Sequence, residues 1–168
     1  LTVAQYRVLS EISGDMESSK VMNRLVQGDV GSGKTIVAAA AMYKAVKSGF
    51  QAVMMAPTEL LARQHYEGLV PEFSRYGVSV GFLSGSVAQK EKREILGQIE
   101  SGELDIIIGT HALIQPGVRF SNLGLVVTDE QHRFGVNQRA LLSEKGENPD
   151  MLVMTATPIP RTLAVILY

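Results

Sequence analysis

Apolar residues in this chain fall into two arrangements that alternate from end to end. Short, nearly continuous apolar runs lie near residues 22–27, 51–56, 78–83, 105–109, 124–128 and 150–154. Between them, near 34–48, 58–75, 87–101, 110–115 and 137–144, lie longer stretches of helical character. A further helix is expected before the first run and another after the last. Runs such as "LDIIIG" and "LGLVVTDE" show little polar alternation, as strands covered on both faces should. The alternation predicts an α/β fold: a central, mostly parallel β-sheet with right-handed crossovers and helices on both faces. No internal repeat, low-complexity tract or linker interrupts it. The loop over 116–122 and the stretch "SEKGENPD" are expected to be the most flexible parts.

In such a sheet, ligands collect beyond the carboxyl ends of the strands, so the residues that follow each strand matter most. After the first strand comes "VQGDVGSGKT". Gly28, Gly33, Lys34 and Thr35 fit G-x-x-x-x-G-K-[ST], the phosphate-binding loop of P-loop NTPases. Glycines, with Gly31 and Ser32 between the anchor positions, let backbone N–H groups approach an anion closely. Lys34 would reach the β- and γ-phosphates of ATP, and the Thr35 hydroxyl would ligate Mg²⁺. The alanine-rich run that follows is a strong helix with Gly49 at its end, and its N-terminus adds a favourable dipole. Asp29, inside the loop, should turn away from the anion or pair with a cation.

After the fifth strand comes "DEQH". Two adjacent carboxylates at the end of a buried strand are costly without a cation. Asp129 is expected to hold Mg²⁺, and Glu130 to orient or deprotonate the attacking water.

Three other strand ends are followed by hydroxyl-bearing turns. "APTELLARQH" opens a helix with Thr58 as N-cap. "LSGS" brings Ser86 and "GTHALI" brings Thr110. Singly, each is an ordinary helix start or turn. At neighbouring strand ends they could form a track for a sugar-phosphate backbone, with Arg63 either a cationic wall or part of a solvated helix face. After the last strand, "TATPIPR" offers Thr155 and Thr157, placed to bond Asp129 or His132, or to close a Thr-rich turn. His65 and His111 read as structural hydrogen-bonding groups. His132 is set apart by its acidic neighbours.

Composition narrows the classes. The chain has 168 residues, 45% hydrophobic and 20% charged, which is about one ordinary globular domain. Net charge is −1, so no global basic field advertises nucleic acid, although a local patch remains open. There are no cysteines, which removes disulfides and thiolate metal sites and suits a reducing, cytoplasmic compartment. No apolar run reaches the roughly 18 residues of a membrane span, and no signal peptide is visible. The chain begins at Leu1 rather than Met and stops inside "TLAVILY", so a piece of a longer protein is expected.

The ordered set "AQYRVLSEI", "GDVGSGKT", "APTELLARQH", "GTHALIQ", "DEQHRFGVNQR" and "TATPIPRTLA" resembles the successive motifs of the first RecA-like motor domain of the RecG family, bacterial branched-DNA helicases of superfamily 2. The resemblance runs over essentially all of 1–168. The related transcription-repair coupling translocases share similar loops, but their second box usually reads DEEQRFGV, and "DEQHRFGV" fits RecG better. A stand-alone P-loop kinase or nucleotide switch would need a lid and an acceptor signature, and neither is visible.

The resemblance implies an ATP hydrolase that drives DNA unwinding on branched or forked DNA in recombination and repair. It implies that Gln5 reads the adenine edge, that Lys34, Asp129, Glu130 and His132 form the catalytic set, and that His132, Thr155 and Thr157 couple hydrolysis to DNA. Thr58, Ser86 and Thr110 would lie on the DNA side. It also implies partners in the parent chain: a second RecA-like domain with arginine fingers, and a wedge domain that splits the fork. The protein is expected to act as a monomer. The isolated chain is expected to be weakly active or inactive.

Overall fold

A computed structural model describes residues 2–28, 33–129 and 136–156. Helix α1 (Val3–Glu17) leads into strand β1 (Asn23–Gln27) and helix α2 (Lys34–Lys47). Strand β2 (Gln51–Met55), helix α3 (Glu59–Ser74), strand β3 (Val80–Leu83), helix α4 (Gln89–Ser101) and strand β4 (Ile106–Gly109) follow. One 3₁₀ turn (His111–Ile114) then precedes strand β5 (Leu123–Asp129), helix α5 (Val136–Ser143) and strand β6 (Asp150–Thr155).

The six strands form one sheet in the order β1-β6-β5-β2-β4-β3, and every pairing is parallel. The chain moves outward across the sheet from β1 to β2 to β3, with α2 and α3 on one face. It then returns through β4 and β5 to β6, with α4, the 3₁₀ turn and α5 on the other. Reversing direction and changing face together keeps each crossover right-handed.

Burial follows from this two-sided cover. Every residue of β2 and β4 is buried. Alternate side chains feed two cores. Met54, Ile108, Val127 and Met154 pack with α1, α2 and α3, while Val53, Ile107, Val126 and Leu113 pack on the α4 and α5 side. Gln51 is a buried polar group at the start of β2 and is satisfied. Its Nε2 donates to the carbonyls of Ile99 (3.0 Å) and Leu104 (2.8 Å), and its Oε1 accepts from Asn122 N–H (3.0 Å).

The helix boundaries have local causes. Thr2 caps α1 in a reciprocal capping box with Gln5. The Thr58 hydroxyl accepts from Leu61 N–H at 3.2 Å and starts α3. Helix α4 begins at Gln89, two residues later than expected, because Val87 N–H is held in a turn by the Ser84 carbonyl. The segment expected as a helix over 110–115 is a single 3₁₀ turn, closed by Leu113 N–H on the Thr110 carbonyl. The helix expected after the last strand lies outside the described residues. No helix among the described residues is long and apolar enough to cross a membrane.

Candidate active site

The strand ends β1, β6 and β5 lie side by side and carry the phosphate loop and the acidic box. Gly28 N–H donates to the Thr155 carbonyl at 3.2 Å, so the loop leaves the sheet pinned to the end of β6. Gly33 is the N-cap of α2, at φ 86°, a left-handed conformation that glycine adopts without steric cost. No side chain among the described residues caps α2. Its first turn is therefore left to an anion, as at other phosphate-binding helix starts. Lys34 Nζ reaches back and donates to the Gly28 carbonyl at 2.6 Å, spanning the loop. The positions expected to complete the cradle, Gly31 and Ser32, and Asp29 with them, lie outside the described residues.

Gln5 comes to this loop from α1. Its Oε1 accepts from Thr2 N–H at 2.8 Å, and its amide rests against the α-carbon of Gly33, where no Cβ could fit. Helix α1 is held down by Arg24 of β1, whose guanidinium contacts Glu11 (2.7 Å) and Asp15 (2.8 Å), and by an ion pair between Lys44 and Glu17. The Asp15 hydrogen bond is the largest reason that Arg24 holds its proton more tightly than usual.

Asp129 ends β5 and is 8% exposed. Its described partner is His65 of α3, with Nε2 2.7 Å from Oδ2. Nothing in the sequence pairs these residues, which stand 64 positions apart. One local signal existed. His65 falls on the inward stripe of α3 with Ala62, Leu69 and Phe73, spaced three and four residues apart, where a polar side chain needs a partner.

Thr155 does not face Asp129. Met154 is the residue in register with Asp129, so Thr155 leaves the sheet on the α5 side, as Val126 and Met151 do. Thr128 Oγ1, on that same side, is buried with no hydrogen-bond partner among the described residues. Glu130, His132 and Thr157 lie outside the described residues.

The donor set suits magnesium. Thr35 and Asp129 offer hard oxygens, and Asp129 Oδ1 has no protein partner among the described residues. No group of three or more His, Cys, Asp or Glu side chains among the described residues could hold a metal alone. Mg²⁺ has no such requirement, because it is held by one or two protein ligands together with substrate phosphates.

The other half of the sheet brings β2, β4 and β3 together, so Thr58, Thr110 and Ser86 do follow three adjacent strands. Gly109 allows this closeness, since a Cβ there would collide with the Leu83 carbonyl. Between these hydroxyls stands an acid not anticipated from sequence. Glu59 accepts from Ser84 Oγ at 3.0 Å and from Ser86 Oγ, and pairs with Arg63 Nη2 at 3.3 Å. The two serine hydroxyls, Ser86 foremost, and then Arg63 hold the Glu59 carboxyl below the usual carboxylate range. Arg63 also lies over the Phe82 ring, 4.5 Å from its centre, in cation–π geometry. Arg63 therefore stays on the exposed face of α3, with 49% of its side chain accessible, but it is not an unopposed cation.

The model of the DEAD/DEAH box helicase family matches residues 2–166. The chain is 58% identical over all 168 residues to the ATP-dependent DNA helicase RecG of Bacillus subtilis and covers 25% of it. It is 53% identical over 168 residues to the RecG helicase of Thermotoga maritima and covers 22% of that protein. The solved structure of RecG bound to a three-way DNA junction superposes with a TM-score of 0.87 at 50% identity, covering 100% of this chain and 22% of that one. The chain thus spans about a quarter of the length of these relatives.

Proposed function

Because the chain belongs to the DEAD/DEAH box helicase family, with its RecA-like P-loop fold, we propose that it is the ATP-binding half of a DNA helicase that remodels branched or forked DNA. The observation that carries this reading is the sheet order. Only β6 separates β1, which delivers the phosphate loop, from β5, which delivers Asp129. Lys34 and Asp129 therefore open at one end of one sheet, in a chain similar throughout to ATP-dependent DNA helicases.

In this reading Lys34 leaves the Gly28 carbonyl and neutralises the phosphates, while the first turn of α2 donates backbone N–H groups. Gly28, Gly31, Ser32 and Gly33 form the wall of the cradle, and Gln5, held against Gly33, reads the adenine edge. Thr35 and Asp129 hold Mg²⁺, which when bound offsets the negative charge developing on the phosphates. Glu130 orients and deprotonates water. His132, Thr155 and Thr157 couple the site to DNA. Thr58, Thr110, Ser86 and Arg63 contact the DNA backbone across β2, β4 and β3.

The cleft is one-sided. A parent chain supplies the second RecA-like domain, whose arginines stabilise charge from the far side, an effect worth ~10³–10⁵ in rate in related NTPases. A wedge domain in the same parent splits the fork. The protein works as a monomer in the cytoplasm, where bacterial chromosomes are copied.

The experiment is ATP-driven unwinding of a fork by the parent protein with and without Lys34→Ala. Loss of unwinding with a normally folded domain is expected. Equal unwinding by the variant would remove the site assignment.

A further inference from the structure

The pair His65–Asp129 joins the two halves of the sheet. Asp129 ends β5 and His65 rides on the second turn of α3, the helix that follows β2 and carries Thr58, Glu59 and Arg63. Both side chains are largely enclosed, at 13% and 12% exposure. An ionised carboxylate can only accept, so the ring nitrogen 2.7 Å away donates to it. His65 and Thr35 also line the same groove between α2 and α3, a space of about 980 Å³. The imidazole is thus bonded to one oxygen donor of the metal site, Asp129, and lines the groove that Thr35 also lines.

We infer that His65 is the positioning residue of the Asp129 carboxylate: it holds Oδ2 from the α3 side and leaves Oδ1 as the oxygen offered to Mg²⁺. The inference rests on the assignment of Asp129 as a metal ligand. Carboxylate ligands are commonly oriented by a hydrogen-bond partner, and losing that partner weakens metal binding tenfold to a hundredfold. A carboxylate enclosed to this extent and left with one fewer hydrogen bond is free to rotate, which spoils it as a ligand. His65 acts through the Asp129 carboxylate, so its removal should act on the metal and not on nucleotide binding itself.

The test is the Mg²⁺ dependence of ADP binding, measured with a fluorescent ADP analogue at a series of Mg²⁺ concentrations. Wild type, His65→Ala, His65→Gln and Asp129→Asn are compared, with affinity in the presence of chelator as reference. His65→Ala should raise the Mg²⁺ concentration needed for half of the effect by about tenfold. Its chelator affinity should match wild type. His65→Gln, whose amide can donate from nearly the same place, should return to within about threefold. An unchanged Mg²⁺ dependence in His65→Ala, alongside a shift in Asp129→Asn, overturns the positioning role while sparing the metal assignment. Tighter Mg²⁺ dependence in His65→Ala overturns it too, because His65 would then be a competitor for the carboxylate. No shift in Asp129→Asn removes the metal assignment itself, and the inference falls with it. His65→Leu, which fills the same space but cannot donate to Oδ2, should show the alanine shift and keeps the test decisive if the alanine variant fails to fold.

Discussion

The amide of Gln5 lies against the α-carbon of Gly33, so helix α1 closes over the start of the phosphate loop at a point where no side chain can be added. Gly33 also holds φ 86°. Alanine there meets two penalties, about 1–2 kcal/mol for the left-handed backbone and a collision with Gln5. Gly33→Ala is expected to lose nucleotide binding and to displace α1. In a double-mutant cycle with Gln5→Ala, part of the stability loss should be recovered, because only the collision is relieved. Purely additive denaturation energies would mean that the contact with Gln5 carries no strain.

Glu59 occupies Ser84, Ser86 and Arg63 at once. A DNA phosphate using the same groups must displace that carboxylate. Glu59→Gln removes the charge and keeps the size. In the parent protein it should tighten fork binding at low salt and steepen the dependence of log affinity on log salt by about 1, the increment for one extra phosphate contact. Weaker binding at an unchanged slope would show that Glu59 aligns the serines for DNA instead of competing with it.

Glu130→Gln preserves hydrogen bonding but makes a much poorer base. In the parent, ATP binding should persist while single-turnover hydrolysis falls by at least about a hundredfold. Turnover within about threefold of wild type would exclude Glu130 as the water-activating group.

Asp150 gives a pH-dependent prediction away from the site. It accepts Met22 N–H at 2.7 Å, yet burial raises its carboxyl pKa, and the nearby Asp15 charge adds to the rise. A raised folded-state pKa means that the folded protein holds the proton more tightly than the unfolded chain. Its stability contribution is full below the ordinary Asp value of about 3.9 and is lost as pH rises through the folded value. Asp150→Asn keeps an acceptor for Met22 and carries no charge. It should be at least as stable as wild type at neutral pH, and that advantage should shrink as the pH falls into the carboxylate range. Urea midpoints across pH would show it. An advantage that grew on acidification would reverse the sign assigned to Asp150.

Much of this architecture was legible in the sequence, for reasons that individual residues make plain. The apolar runs over 105–109 and 124–128 required strands covered on both faces, and β4 and β5 are such strands. "GSGKT" needed a strand before it and a helix after it, and β1 and α2 supply them. Thr58 capped its helix as its residue type suggested. The order of strands was not legible, because it is decided by which buried faces fit together and not by local pattern. The meeting of His65 with Asp129 follows from that order, since β2 and β5 must be neighbours before α3 can reach the end of β5. Glu59 was hidden in another way. An acid in the first turn of a helix is ordinary, and only the placement of β3 beyond β4 brings Ser84 and Ser86 to it.

The central claim is that this chain is half of an ATP-driven motor acting on DNA, able to hold nucleotide and unable to complete the work alone. Phosphate release from Mg-ATP, with and without forked DNA, tests it most directly when run on the 168-residue chain and on its parent side by side. The parent should hydrolyse ATP faster when the fork is added, and the chain alone should turn over slowly and at the same rate either way. Robust fork-stimulated hydrolysis by the chain alone, or no stimulation of the parent, would contradict the account.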